Sequence, residues 1–296
     1  MKKRIVMAVI LLALIGMVMA AVAFVLLHKD STRVEQNRET IRQETIENEG
    51  RAYASRYKLQ VSLDTKKKVL SGTVCATIKN ATDEDLNRIC VRNWAAAILK
   101  KTTVKTEILS AKIGEKDLQI AKKEDTSVLY LSDANRLLVP ARSFVDVVFS
   151  FRTEIPKQKN RFGYVSFDGH EMYQLSFCFP SISLYQKGNW NENPYLGDND
   201  ETYVNEAADY DVTFLHPKKY IVAATGTECP AQEGTRITGK KLREFAAVVS
   251  DDFCRLDARE GKTAISILAP NYKKNQGYYK YSLRLAKEAV RIFSEK

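Results

Sequence analysis

A histidine beside a carboxylate can pass protons in general acid–base catalysis, and the chain sets such a pair at His170-Glu171. Neighbours on a strand point to opposite faces, however, and no nucleophile is marked nearby. The Gly169-His170-Glu171 run therefore reads as a turn carrying a loop histidine. The remaining histidines, His28 and His216, are far from it in sequence, and no Gly-x-Ser-x-Gly elbow occurs. Cys75, Cys90, Cys178, Cys229 and Cys254 are separated by 15, 88, 51 and 25 positions, which is neither a Cys-x-x-Cys nor a zinc-ribbon spacing. Several of them fall in apolar strand-like runs, where a thiol packs as a small hydrophobe. They read as buried structural thiols, with Cys75 and Cys90, on adjacent strands, the pair to bridge if any does. Asp198, Asp200, Glu201 and Glu206 follow Gly197 and offer carboxylates for calcium, but the glycine and distal glutamate of an EF-hand loop are missing. A solvated loop is the reading. No catalytic, cofactor-binding or metal residue is assigned from these patterns.

The chain that must position these residues has 296 of them, with 45% hydrophobic and 28% charged content, enough for a sizeable core. Its formal charge of +10 is diffuse: residues 1–49 hold seven Lys/Arg against six Asp/Glu, and +9 is spread over the other 247. The tightest basic cluster, Lys66-Lys67-Lys68, lies where a hairpin turn belongs and has no interleaved aromatics. It reads as a solvated turn, and nucleic acid is not expected as a partner.

From Ile5 to Leu27 run 23 uncharged, mainly aliphatic residues behind Lys2, Lys3 and Arg4. About 20 such residues span a bilayer, so the lipid bilayer is an expected partner. The cations precede the run, while Lys29 and Asp30 offset each other after it, which keeps the N-terminus cytoplasmic and the bulk extracytoplasmic. A signal peptide cut after Ala21-Val22-Ala23 is the competing reading. That cut would leave Phe24-Val25-Leu26-Leu27 at a mature N-terminus, and an uncleaved, single-pass anchor is preferred. Asp30 to Glu49 is polar and charge-alternating, a spacer that is either a solvated helical stalk or a linker.

Beyond residue 52 the apolar period becomes two. Tyr57, Leu59, Val61 and Leu63 alternate with polar partners, Asp64 to Lys68 turns, and Leu70 to Ile78 alternates again: a β-hairpin. Further strand-like runs lie at 89–94, 103–113, 128–131, 144–152, 174–177, 211–215, 221–224, 242–250 and 263–268. Many short strands imply a mainly β, antiparallel sandwich. Only the end reads as helical: Leu283, Ala286, Val290 and Phe293 form one apolar stripe. That stripe needs cover, either from the chain's own sheet or from something else.

The hairpin Tyr-Lys-Leu-Gln-Val-Ser-Leu-Asp (57–64), Leu-Ser-Gly-Thr-Val (70–74) and Asn-Ala-Thr (80–82) resembles the opening of the N-terminal domain in the aminopeptidase N family of zinc metallopeptidases. So do Asn160-Arg161-Phe162-Gly163, Phe179-Pro180 running on to Gly188-Asn189-Trp190, and Ala208-Asp209-Tyr210-Asp211-Val212-Thr213. Pro217 to Gly226 and Arg243 to Phe253 continue the blocks in family order. The resemblance implies a saddle-shaped β domain over 53–272, behind an anchor at 1–28 and a stalk at 29–52. It also implies that 273–296 is the first helix of a thermolysin-like catalytic domain. Trp190, Asn191 and Tyr195 would then line the substrate entrance.

The family's chemistry needs two histidines four apart on a helix, a glutamate between them, a third zinc ligand and an exopeptidase loop. This sequence has no His-Glu-x-x-His and no Gly-Ala-Met-Glu-Asn loop. The resemblance thus points to the N-terminal portion of a zinc aminopeptidase-like protein, inactive by itself, with zinc belonging to the full-length family and no cofactor in this chain. The alternative is a standalone surface β module that binds peptides or a protein partner. An exposed terminal stripe favours the first reading, and a stripe docked on the sheet favours the second.

Overall fold

The computed structural model describes residues 50–99, 104–125, 127–134, 137–158, 161–195 and 205–294. The run from Ile5 to Leu27 and the stalk up to Glu49 lie outside the described residues. Among the described residues no helix is long and apolar enough to cross a membrane.

In chain order the strands are β1 (Arg51–Asp64), β2 (Val69–Asn80), β3 (Arg88–Arg92), β4 (Thr106–Ile113), β5 (Lys116–Asp117), β6 (Gln119–Lys122) and β7 (Val128–Ser132). There follow β8 (Ser143–Glu154), β9 (Phe162–Phe167), β10 (His170–Leu175), β11 (Ser181–Ile182), β12 (Tyr185–Gln186), β13 (Asn189–Trp190) and β14 (Ala208–Leu215). The last are β15 (Ile221–Ala224), β16 (Thr227–Cys229), β17 (Thr235–Leu242), β18 (Ala247–Ser250), β19 (Cys254–Glu260) and β20 (Thr263–Ala269). Two helices, α1 (Trp94–Ile98) and α2 (Tyr272–Ser294), complete the described secondary structure.

The largest sheet runs β16-β17-β14-β1-β2-β8-β4-β5, with β12 and β13 branching from β1. Smaller sheets run β15-β18-β10-β9 and β11-β3-β7-β6, and β19-β20 is a separate hairpin. The protein is mainly β, as its period-two patterning implies. The expected wholly antiparallel order is broken at one pairing, where β14 lies parallel to β1. In β1 the buried positions change phase, from Ala52 and Ala54 to Tyr57, Leu59, Val61 and Leu63. Ala54 pairs with Ile78 and Arg56 with Thr77, so Ser55 is the extra residue of a bulge that shifts the phase by one.

Three sequence expectations are corrected. Trp94, read into a strand, opens α1, because the strand ends at Arg92. The run at 242–250 is two strands in different sheets, β17 and β18, separated by a break in which Phe245 is buried at 1% exposure. Cys75 and Cys90 do not bridge: β2 pairs with β1 and β8 whereas β3 pairs with β7 and β11, and both cysteines are free thiols.

The β1–β2 turn is capped by Asp64, whose Oδ1 accepts from the backbone N–H of Lys66 (3.0 Å) and Lys67 (2.9 Å). Lys66 and Lys67 are solvated, but Lys68 turns inward. Its Nζ donates to Glu171 Oε1 at 2.5 Å and to Tyr173 Oη at 2.9 Å, and lies 4.7 Å from the Tyr164 ring centre. Burial alone would raise the Glu171 carboxyl. Hydrogen bonds from Lys68 and Tyr173 outweigh that and hold it below its ordinary value. Asp251 is likewise held low against burial, by Lys219 Nζ at 2.7 Å and the Glu171 backbone N–H at 2.9 Å.

A carboxyl whose folded pKa lies below its unfolded one contributes stability above the unfolded value and loses it as pH falls through the folded one. The urea midpoint should therefore drop below about pH 5, and Glu171→Gln protein, though weaker at neutral pH, should drop less. Equal acid sensitivity of the two proteins would refute the assignment.

Candidate functional site

Side-chain direction alternates along β3, which sets Arg88, Cys90 and Arg92 on the face opposite Ile89 and Val91. All but Arg88 are buried, and Cys90 packs in the hydrophobic core with Ile89 and Val91. Cys90 stands opposite Tyr130 of β7. Residues 183–194 lie over this face, anchored by the Ser183 backbone N–H donating to Cys90 O at 2.9 Å and by pairing of β11 with β3. The β12–β13 hairpin turns through Lys187 (φ 53°) and Gly188 (φ 77°), two left-handed residues as a tight two-residue hairpin requires. That turn sets Trp190 edge-on to Tyr185, with ring centres 5.3 Å apart.

Arg92 is 2% exposed and holds the segment that follows. Its guanidinium donates to the carbonyls of Asn191 (3.2 Å) and Asn193 (2.8 Å), and its Cζ lies 4.0 Å from the centre of the Trp94 ring. With both flanking carbonyls fixed, Glu192 is presented to β7. One of its oxygens accepts from Tyr130 Oη and the other from Lys123 Nζ. Between these groups lies a cleft of about 670 Å³ lined by Arg88, Lys123, Tyr130, Trp190, Glu192 and Asn193 among others.

The electrostatics favour binding over covalent chemistry. Burial pushes the Cys90 thiol up to about 12, although the Arg92 charge opposes the shift, so no thiolate forms near neutral pH. Burial and the Glu192 hydrogen bond also raise the Tyr130 hydroxyl. Burial would raise Glu192, but Lys123 and Tyr130 more than compensate and keep it ionised. None of these groups is poised to exchange a proton at pH 7.

The structure separates the residues that the sequence grouped. Trp190 lines the cleft. Asn191 does not; its carbonyl accepts from Arg92 and from Ser183 Oγ (2.6 Å), and its Oδ1 accepts from the Asn193 N–H (3.0 Å). Tyr195 is half-buried just past Pro194. His170 opens β10 and is not in a loop; its Nδ1 is 3.5 Å from Asp251 and its Nε2 3.8 Å from Asp252. Of the acidic stretch, only Glu206 is among the described residues, and it pairs with Arg51 at 2.5 Å. The sequence reading missed Arg88 and Arg92, although an Arg-x-Cys-x-Arg alternation inside an otherwise apolar strand is a usable signal. A buried arginine must find acceptors.

The chain is similar to an M1 zinc metallopeptidase from Deinococcus radiodurans, at 14% identity over 73% of this chain and 46% of that one, with a TM-score of 0.42. This chain therefore spans under half the length of that enzyme, and the likeness gives no residue here a role. No family model and no curated protein matches the chain.

Proposed function

We propose that residues 53–272 form the non-catalytic N-terminal β domain of a zinc aminopeptidase-like protein. The run from Ile5 to Leu27 holds it on the extracytoplasmic side of a bilayer, and α2 is the first helix of a thermolysin-like catalytic domain. Trp190, Asn191 and Tyr195 lie towards the substrate entrance in this reading. In this reading zinc belongs to the catalytic domain of the full-length protein, and no residue of this chain is assigned to it. No catalytic step is assigned to this chain.

The observation that carries the reading is the double apolar character of α2. After a break at Asn275 (φ −125°), Tyr279, Leu283, Ala286 and Val290 are half-buried on one face, and the helix touches β19 and β20. A second stripe, Tyr278, Tyr281, Leu285 and Ile292, is 47–68% exposed, Phe293 is 78% exposed, and no residue of the helix is fully buried. A helix with apolar residues on two sides is built to be packed on two sides, and each such side chain is worth roughly 1.5–3 kcal/mol when covered. The half-buried inner face is what favours the second reading, a standalone module that binds peptides or a protein partner.

The size of the native membrane-bound polypeptide, read with an antibody to the 190–203 segment, separates the two. A band well above 33.6 kDa is expected, and one at 33.6 kDa would leave the module. In the 296-residue chain, replacing Leu285 and Ile292 together by glutamine should move stability by less than about 0.5 kcal/mol in urea unfolding. A larger loss would mean that the outer stripe is already packed.

A further inference from the structure

We propose that the cleft beside β3 and β7 binds the carboxylate of a peptide through the guanidinium of Arg88. Most of its charges already have a partner. Glu192 is neutralised by Lys123 and hydrogen-bonded by Tyr130, and Asp85 Oδ1 accepts from the Ala141 N–H at 2.7 Å. Arg88 is exposed and rests on the Tyr130 ring, 4.4 Å from its centre, with no carboxylate of the described residues at ion-pair distance. Its cation is held by the ring rather than by an acid, and a guanidinium fork without an acidic partner is the group that grips a carboxylate with two parallel hydrogen bonds.

The surroundings suit a peptide more than a bare anion. Asn87, Asn189 and Asn193 also line the cleft and can hydrogen-bond a peptide backbone, and its volume of about 670 Å³ holds a few residues. The Arg92 clamp fixes the wall opposite β7, so little order has to be gained on binding. The anion chemistry stands on the cleft alone; that a peptide carries the anion rests on the function proposed above. The carboxylate is a C-terminus or an acidic side chain, and the two are separated by the test.

The 296-residue chain in phospholipid nanodiscs is titrated calorimetrically with tetra-alanine, its C-terminal amide, an amidated tetrapeptide with one glutamate, and acetate. Binding of the free acid with about tenfold or greater loss on amidation, abolished in Arg88→Gln, is the expected result. Recovery by the glutamate peptide would support the proposal with a side chain as the source. Arg88→Lys, which keeps the charge and loses the fork, should bind at an intermediate strength and covers the case in which Arg88→Gln misfolds. No binding, or binding that ignores both amidation and Arg88, overturns the proposal. Acetate binding as tightly as tetra-alanine, through Arg88, overturns the peptide and counts against the peptidase-like reading, while the anion site remains.

Discussion

Arg92→Ala is expected to lower stability by about 3–4 kcal/mol and to release the backbone of residues 191–193. The truncation removes charge-assisted hydrogen bonds to two carbonyls, each worth about 1.5–3 kcal/mol, and a desolvated stack on Trp94 worth about 2 kcal/mol. It also leaves a void where a large side chain was buried. Part of this is offset because the cost of burying a cation disappears. Arg92→Met separates the terms: it fills the space without the charge, so it should recover much of the stability but none of the loop order. Urea unfolding reads the first quantity and amide hydrogen exchange at Asn191 and Asn193 the second. If Arg92→Met protects those amides as well as the parent does, the guanidinium is not what positions Glu192.

Gly72→Ala is expected to cost about 3 kcal/mol, although it adds one methyl group. Gly72 faces Val61 across the β1–β2 ladder, between two of the longest strands. A Cβ there would stand 2.3 Å from Gln60 O and 3.1 Å from Val61 Cα, both backbone atoms that no rotamer change can move. β2 is also held from the other side by β8, where Phe151 pairs with Gly72 and is 1% exposed. The strand can escape the clash only by giving up ladder hydrogen bonds or core packing. The urea midpoint should fall at constant m-value. An unchanged midpoint would mean that the two strands separate locally at little cost.

Alternation with period two made the mainly β character and the β1–β2 hairpin readable in the sequence, because side-chain direction along a strand is a local property. The same holds for Leu283, Ala286 and Val290 of the expected α2 stripe, which are half-buried, but not for its fourth member, Phe293, which is 78% exposed. What surrounds a strand is not local. Nothing near Tyr57 or Val212 announces that β1 and β14 lie side by side and parallel, since that contact joins segments far apart in the chain. The outer stripe of α2 was missed for a related reason: tyrosines at 278 and 281 blur a purely aliphatic count, and only the packing shows which face is covered.

Family-like blocks in the sequence suggested a substrate entrance around Trp190, Asn191 and Tyr195. Tertiary structure decided which of these meets a cleft, because the wall facing Trp190 comes from Arg88, Lys123 and Tyr130 on other strands and turns. The amino-acid types by themselves determined the mainly β character, the β1–β2 hairpin and the terminal helix, and that the given sequence contains no His-Glu-x-x-His motif. The tertiary structure decided which charges are paired: Lys68 is drawn to Glu171, Lys123 to Glu192, and Arg88 rests over the Tyr130 ring with no acid of the described residues at ion-pair distance. Ion pairing depends on distances of a few ångströms between residues remote in sequence, and chain folding alone sets those distances.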